Sequence, residues 1–280
     1  MTVGIITNLL KDSNGVVTNC VINKLKSLNC NVILEQGNEK LFGNNNIYSD
    51  NVYLNSDIIV AVGGDATIIR SAKLASYYNK PVLGVNNGTI GYMASIELDE
   101  LDLLDKLITG DYSIEKRLLI KATEENGQTH YCLNDLVVKN TSCSGLAEIE
   151  LYTNDNLTLS YSADGVIIST PTGSTAYSLS AGGPITDPNI DCFIITPICA
   201  HSVVARSVIL SADNKYKIKI KNNTKKGQKL DIKAAFDGRE EGSVFSEQEL
   251  INFECSLDTC ARLIKFKNTS FYDVLKNKLN

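Results

Sequence analysis

Two stretches of this 280-residue chain carry residue types whose order suits chemistry. The longer runs from Asp164 to Ile185 and reads DGVIISTPTGSTAYSLSAGGPI. Val166, Ile167 and Ile168 predict a short buried strand. Behind it, Pro171 fixes its own φ and biases Thr170 toward an extended conformation. Gly173 lets the backbone turn and approach a ligand closely. Hydroxyl side chains follow at Thr172, Ser174, Thr175, Tyr177, Ser178 and Ser180. Such groups both donate and accept hydrogen bonds, which suits ribose hydroxyls, phosphate oxygens and amides. A polar turn is the simpler reading, but the length and order of the block argue against it.

The second stretch is Gly63-Gly64-Asp65. It follows an apolar run, Asp57 to Val62, and precedes a helix predicted over Thr67 to Tyr78. Open α/β sheets bind ligands where parallel strands end. Glycines free backbone N–H groups for phosphate oxygens, and the helix start adds its positive end. Asp65 is a poor phosphate ligand by charge. It can act as general base for an alcohol, or as ligand to a magnesium ion shared with the phosphates. It can also simply cap the helix, and residue type alone leaves these roles level. Arg70, one turn further on, either reaches the phosphates or sits solvated.

The elements that must position these stretches fall into two textures. Residues 3–7, 31–34, 57–62 and 81–85 read as strands, and 16–28, 67–78 and 98–109 as helices, the last stopping at Gly110. A polar surface loop is expected over 36–55. This alternation implies an α/β domain with a mostly parallel sheet over 1–111. From Tyr112 the pattern changes. Strands are predicted at 116–123, 129–139, 147–153, 157–161, 215–221, 229–236 and 250–255, with hairpin turns at Glu125–Gly127 and Asn154–Asn156. Residues 112–255 therefore read as an antiparallel, sandwich-like all-β domain. A strand and a helix follow from Ala261 to Leu279.

The 164–185 block closely resembles the signature segment of NAD kinases. GGDAT at 63–67, NNGTIGYMA at 86–94, LNDLVV at 133–138 and ITPICAHS at 195–202 resemble that family's other segments, in the same order. The resemblance implies transfer of the γ-phosphoryl group of ATP to the 2′-hydroxyl of the adenosine ribose of NAD. Magnesium would accompany the ATP, and the chain would form a homodimer or homotetramer. The tail, 256–280, would return to complete the first domain. By the same resemblance Asp65 is catalytic, and Gly63, Gly64 and Arg70 bind phosphate. NAD contacts are implied at Asp65, Ala66, Asn134, Asp135, Asp164, Thr172, Thr175, Ala176, Tyr177, Ser178, Leu179 and Ser180, with Asp237 and Arg239 as further candidates. Two positions depart from the family pattern: Ala66 stands where it has glycine, and Asp135 where it has glutamate. These departures motivate one alternative, a non-catalytic dinucleotide sensor. A lipid kinase of the diacylglycerol or sphingosine type is another, since it shares a GGDxT loop. It has no evident use for the 164–185 block.

Bulk properties narrow the field. A net charge of −5 argues against a nucleic-acid partner, which usually meets a basic face. No stretch approaches the roughly 20 apolar residues of a membrane span, and the N-terminus reads as a strand rather than a signal peptide. A cytoplasmic protein is expected. The eight cysteines include no CxxC pair, so free thiols are expected and no protein-ligated metal is assigned. His201 is read as a packing or capping residue.

Overall fold

The structure, a computed structural model, describes residues 1–43, 45–87, 91–142, 145–202, 205–222, 230–238, 244–245, 250–256, 259–266 and 271–279. Two units emerge, Met1–Lys116 with Thr259–Asn280, and Arg117–Asp258.

The chain begins with β1 (Thr2–Thr7), α1 (Val16–Ser27), β2 (Asn31–Glu35), α2 (Glu39–Phe42), β3 (Ile47–Ser49), β4 (Ile58–Gly63), α3 (Asp65–Ser76) and β5 (Val82–Asn86). A 3-10 stretch (Leu98–Leu104), α4 (Asp105–Thr109) and β6 (Ser113–Arg117) follow. The second unit holds β7 (Ile120–Glu124), β8 (Thr129–Cys132), β9 (Asp135–Asn140), β10 (Ala147–Thr153), β11 (Asn156–Ala163) and β12 (Gly165–Ser169). It continues with a 3-10 turn (Thr172–Thr175), α5 (Tyr177–Ser180), β13 (Cys192–Ile198), β14 (Val208–Ser211), β15 (Tyr216–Asn222), β16 (Ile232–Phe236), β17 (Val244–Phe245) and β18 (Leu250–Cys255). The chain closes with β19 (Ala261–Lys265) and α6 (Phe271–Leu279).

The first sheet has the order β3-β2-β1-β4-β5-β19-β6, and its pairs from β3 to β19 are parallel. Its β-branched strands bury Val3, Ile5, Val60, Val62 and Val85 under helix residues such as Val21 and Leu25. The strand order reverses between β1 and β4, since β1 leads through α1 to β2 on one side and β4 leads through α3 to β5 on the other. The second unit is a face-to-face pair of antiparallel sheets, β11-β10-β15-β18-β7-β8 and β14-β13-β12-β9-β16-β17. Alternate residues such as Ile149, Tyr216 and Phe253 from one sheet and Leu136, Val138, Val166 and Phe193 from the other fill a shared core. The fold class is the expected one.

Four local expectations are corrected. The polar loop at 36–55 contains α2 and β3, because Ile47 and Tyr48 find parallel partners in Ile33 and Leu34. The helix expected over 98–109 starts as a 3-10 stretch with a kink at Glu100, and only its last turn is α-helical. Gly110 ends it in the left-handed region, φ 74°, as a glycine stop should. The strands expected at 116–123 and 129–139 each split in two, and each pair of halves joins different sheets. Extended character is local, whereas sheet membership depends on distant partners.

Candidate active site

β4 buries all six of its residues and delivers Gly63-Gly64-Asp65 to the start of α3. Gly64, extended at φ −88° and ψ −176°, is the helix cap, and no side chain caps it. Asp65 is instead the first helical residue, and its carboxylate turns toward the chain that follows β5. Its Oδ2 accepts from Tyr92 N at 2.8 Å and its Oδ1 from Met93 N at 3.1 Å. The fit depends on Gly91, where a Cβ would stand 1.9 Å from Oδ1 of Asp65. The expected motifs at 63–67 and 86–94 therefore meet, although residues 88–90 lie outside the described ones. Ala66 and Arg70 are exposed. Ala66 is helical and needs no glycine freedom. Burial pushes the Glu35 carboxyl upward, and the charge of Arg70 opposes that rise.

The loop after β1 adds a group that the sequence reading missed. Asn8 N donates to Val62 O at 3.2 Å, and Asn8 Nδ2 donates to Thr67 Oγ1 at 3.3 Å. These bonds bring residues 8–12 beside the glycine turn, at the reversal point of the sheet. Lys11 Nζ lies 3.1 Å from where a Gly64 Cβ would be. A cation thus sits over the bare backbone of the turn. Its only sequence signal is its place just after a first parallel strand.

In the second unit the 164–185 block opens with β12 and then folds back on itself. Gly173 is required by contact, since a Cβ there would be 2.2 Å from the Asn134 carbonyl oxygen. Most of the block's hydroxyls point inward. Thr170 Oγ1 donates to Leu133 O at 2.5 Å, and Ser174 Oγ donates to Pro171 O at 2.7 Å. Ser178, fully buried, bonds to Thr196 Oγ1 at 3.1 Å. Thr172 Oγ1 accepts from Arg117 Nη1 at 3.2 Å. Tyr177 is 42% exposed, and Leu179 and Ser180 are also exposed.

Beside the block lies an open cleft of about 340 Å³. Asn134, Asp135, Ala176, Tyr177 and Asp237 line it, together with Val137, Lys139, Ala235 and Gly238. Asp237 builds its floor from an unusual backbone, φ 51°. Its carboxylate accepts from Leu133 N at 3.0 Å, Asn134 N at 2.7 Å and Asp135 N at 3.3 Å. This is where the strand expected over 129–139 breaks. Asp135 is only 4% exposed. Burial, then the neighbouring Asp237 charge, pushes its carboxyl up to about 7.

The structure thus gathers expected residues from three segments, 134–135, 176–177 and 237, around one cleft. It does not bring Asp164 there. Asp164 is exposed at the opposite end of β12, roughly 17 Å from Ser169 at ~3.4 Å per strand residue. The Ser178 and Thr172 side chains are bonded to Thr196 and Arg117, outside the block, and do not line the cleft, and Arg239 lies outside the described residues. His201 is exposed. Among the described residues every cysteine is free. Also among them, no helix is long and apolar enough to cross a membrane.

Comparison with known proteins gives the decisive observation. Residues 3–112 match the model of the ATP-NAD kinase N-terminal domain, and residues 133–264 that of the ATP-NAD kinase C-terminal domain. The chain belongs to the NAD kinase family. It is 38% identical over 288 residues to the NAD kinase of Caldanaerobacter subterraneus subsp. tengcongensis, covering 99% of this chain and 98% of that one. Its fold is that of yeast NADH kinase solved with NADH (TM-score 0.84, 20% identity, 100% of this chain and 86% of that one). It is also that of an NAD kinase from Archaeoglobus fulgidus solved with ATP (TM-score 0.78, 22% identity, 100% and 98%). The chain is an enzyme, a kinase that uses ATP and acts on NAD. The lipid-kinase alternative is left without support.

Proposed function

We propose that the chain's reaction, transfer of the γ-phosphoryl group of ATP to the 2′-hydroxyl of the adenosine ribose of NAD, is divided between the two domains expected from the sequence. Residues 1–111, completed by 256–280, handle the donor and the proton. Residues 112–255 hold the dinucleotide. The cleft beside the 164–185 block carries this reading, because Asn134, Asp135, Tyr177 and Asp237 converge there from distant parts of the chain. Asn134 and Asp135 offer hydrogen-bonding groups suited to the adenosine. Tyr177 offers an aromatic face, and Ala176 leaves room for a ring. Asp237 acts through the backbone it holds. Thr172 and Ser178 shape the block from inside, while Thr175, Leu179 and Ser180 border it. Asp164 belongs to the reading only at the far end of an extended dinucleotide.

In the first domain Asp65 takes the proton from the 2′-hydroxyl. The amides of Tyr92 and Met93 fix its carboxylate, so its orientation is set before substrate arrives. Gly63, Gly64 and Lys11 receive the donor phosphates, with Arg70 in a supporting role from the exposed face of α3. Among the described residues no three His, Cys, Asp or Glu side chains gather to hold a metal. Magnesium is expected to come with the ATP, its ligands mainly phosphate oxygens and water. When bound, it neutralises part of the triphosphate charge. The enzyme is read as cytoplasmic and as a homodimer or homotetramer.

The test is purified protein with ATP, Mg²⁺ and NAD, followed for NADP. Formation of NADP in the wild type, lost in Asp65→Asn with NAD binding kept, is the expected result. NAD binding without any turnover in the wild type would instead identify the non-catalytic sensor.

A further inference from the structure

Asp135, Val137 and Lys139 alternate along β9, so they share one face of the sheet. It is the outer face, since Leu136 and Val138 point into the core. Lys139 is half-buried and lines the cleft at the end of this row. Its neighbours across the ladder are Gly165 on β12 and Lys233 on β16. Gly165 packs tightly on this strand, since a Cβ there would stand 2.6 Å from the Val138 carbonyl oxygen and 2.7 Å from the Lys139 Cβ. Among the described residues no carboxylate forms an ion pair with Lys139. A half-buried lysine in no such ion pair, lining a cleft in a protein of net charge −5, suits an anionic occupant.

We propose that Lys139 binds the diphosphate of the dinucleotide. This rests on the reading that the cleft holds NAD. Lys139 stands at one end of the row and the uncharged adenosine's expected contacts, Asn134 and Asp135, at the other. At ~3.4 Å per residue, the Cα atoms of Asp135 and Lys139 are roughly 14 Å apart, and the long lysine stem spans part of that gap. An ammonium is a compact point charge, which suits diphosphate oxygens shared over several geometries.

The experiment is calorimetric titration of the full chain, as wild type, Lys139→Met, Lys139→Arg and Tyr177→Ala, with NAD, adenosine and NADP as separate ligands. Melting temperatures confirm folding. Lys139→Met should weaken NAD and NADP alike by about tenfold or more, the scale of a lost charged hydrogen bond. It should leave adenosine unchanged, Lys139→Arg should restore much of the loss, and the salt dependence of NAD binding should flatten. Equal NAD affinity in wild type and Lys139→Met, with Tyr177→Ala weakened, overturns this inference alone. A loss confined to NADP also overturns it, by assigning the lysine to the product's 2′-phosphate. If Tyr177→Ala and Lys139→Met both bind NAD as the wild type does, the cleft reading falls with it.

Discussion

The turn after β4 and the block after β12 are both small-residue segments behind buried strands, yet they use polar atoms in opposite ways. At the turn, one carboxylate is held by the backbone of another segment. Two amides fix Asp65, Gly91 yields the space, and Gly64 beside it offers a backbone without a side chain, while Gly63 is buried against Thr67. In the block, the side chains themselves are consumed. Thr170, Ser174 and Ser178 bond inward, and Gly173 presses on the carbonyl of Asn134. Abundance of hydroxyls therefore marks a rigid scaffold here, and the surface it presents to the cleft is carried by Ala176 and Tyr177. Richness in a residue type and contact with a ligand are separate properties.

The largest effect that sharpens this contrast is expected at Asp65. Asp65→Asn should lower kcat by roughly 10²–10⁴-fold, the usual range for a positioned general base, while NAD affinity stays. Asparagine offers one acceptor where two amides now donate, so a melting study should also show a loss of about 1–3 kcal/mol from the unmet amide. Near-wild-type kcat in this variant would remove Asp65 from the chemistry. At Asp135 the expected effect is on stability. Its folded pKa, about 7, lies above the unfolded value of about 3.9. The folded state therefore holds the extra proton between those values, and stability falls as pH rises from 4 to 7. The wild type should lose as much as ~4 kcal/mol relative to Asp135→Asn over that window. Parallel pH profiles for the two proteins would show that Asp135 ionises freely in the fold.

Within the block, Gly173→Ala should destabilise by about 1–3 kcal/mol as its Cβ overlaps the Asn134 carbonyl, and should weaken NAD binding as that turn shifts. Ser178→Ala should cost roughly 1 kcal/mol and leave KM for NAD alone. A raised KM with unchanged melting temperature would mean that Ser178 reaches ligand after all, and the contrast between scaffold and surface would break there. The smallest effect is expected at Ala66. Because it is exposed in the first turn of α3, Ala66→Gly should lower stability by about 0.5–1 kcal/mol with kcat unchanged. A rise in kcat would show that the methyl group does restrict the phosphate turn.

Much of this was legible from local pattern. The buried strand before each segment, the glycine stop at Gly110 and the alternating KYKIKIK strand all follow from residue spacing. What escaped depends on contacts between distant residues. Asp237 holds three amides from a left-handed backbone, which no spacing announces. Lys11 gains its place from strand order, and Lys139 from its register against Gly165 and Lys233. The two split strands show the same limit: Leu118-Leu119 and Leu133-Asn134 continue an extended pattern while the chain changes sheets.

The position of β19 has a consequence for synthesis. It lies between β5 and β6, and everything from Arg117 to Asp258 is made before it. The second unit is continuous in sequence, so on the ribosome it can close while the first still has an unfilled gap beside β5. Domains generally fold as units, N-terminal first; here the N-terminal unit is necessarily finished last. A nascent chain must carry that open apolar strand edge, a template for wrong pairing, through the translation of the whole inserted unit. A premature stop just before Ala261 would leave the β-sandwich intact and strip an interior strand from its neighbour.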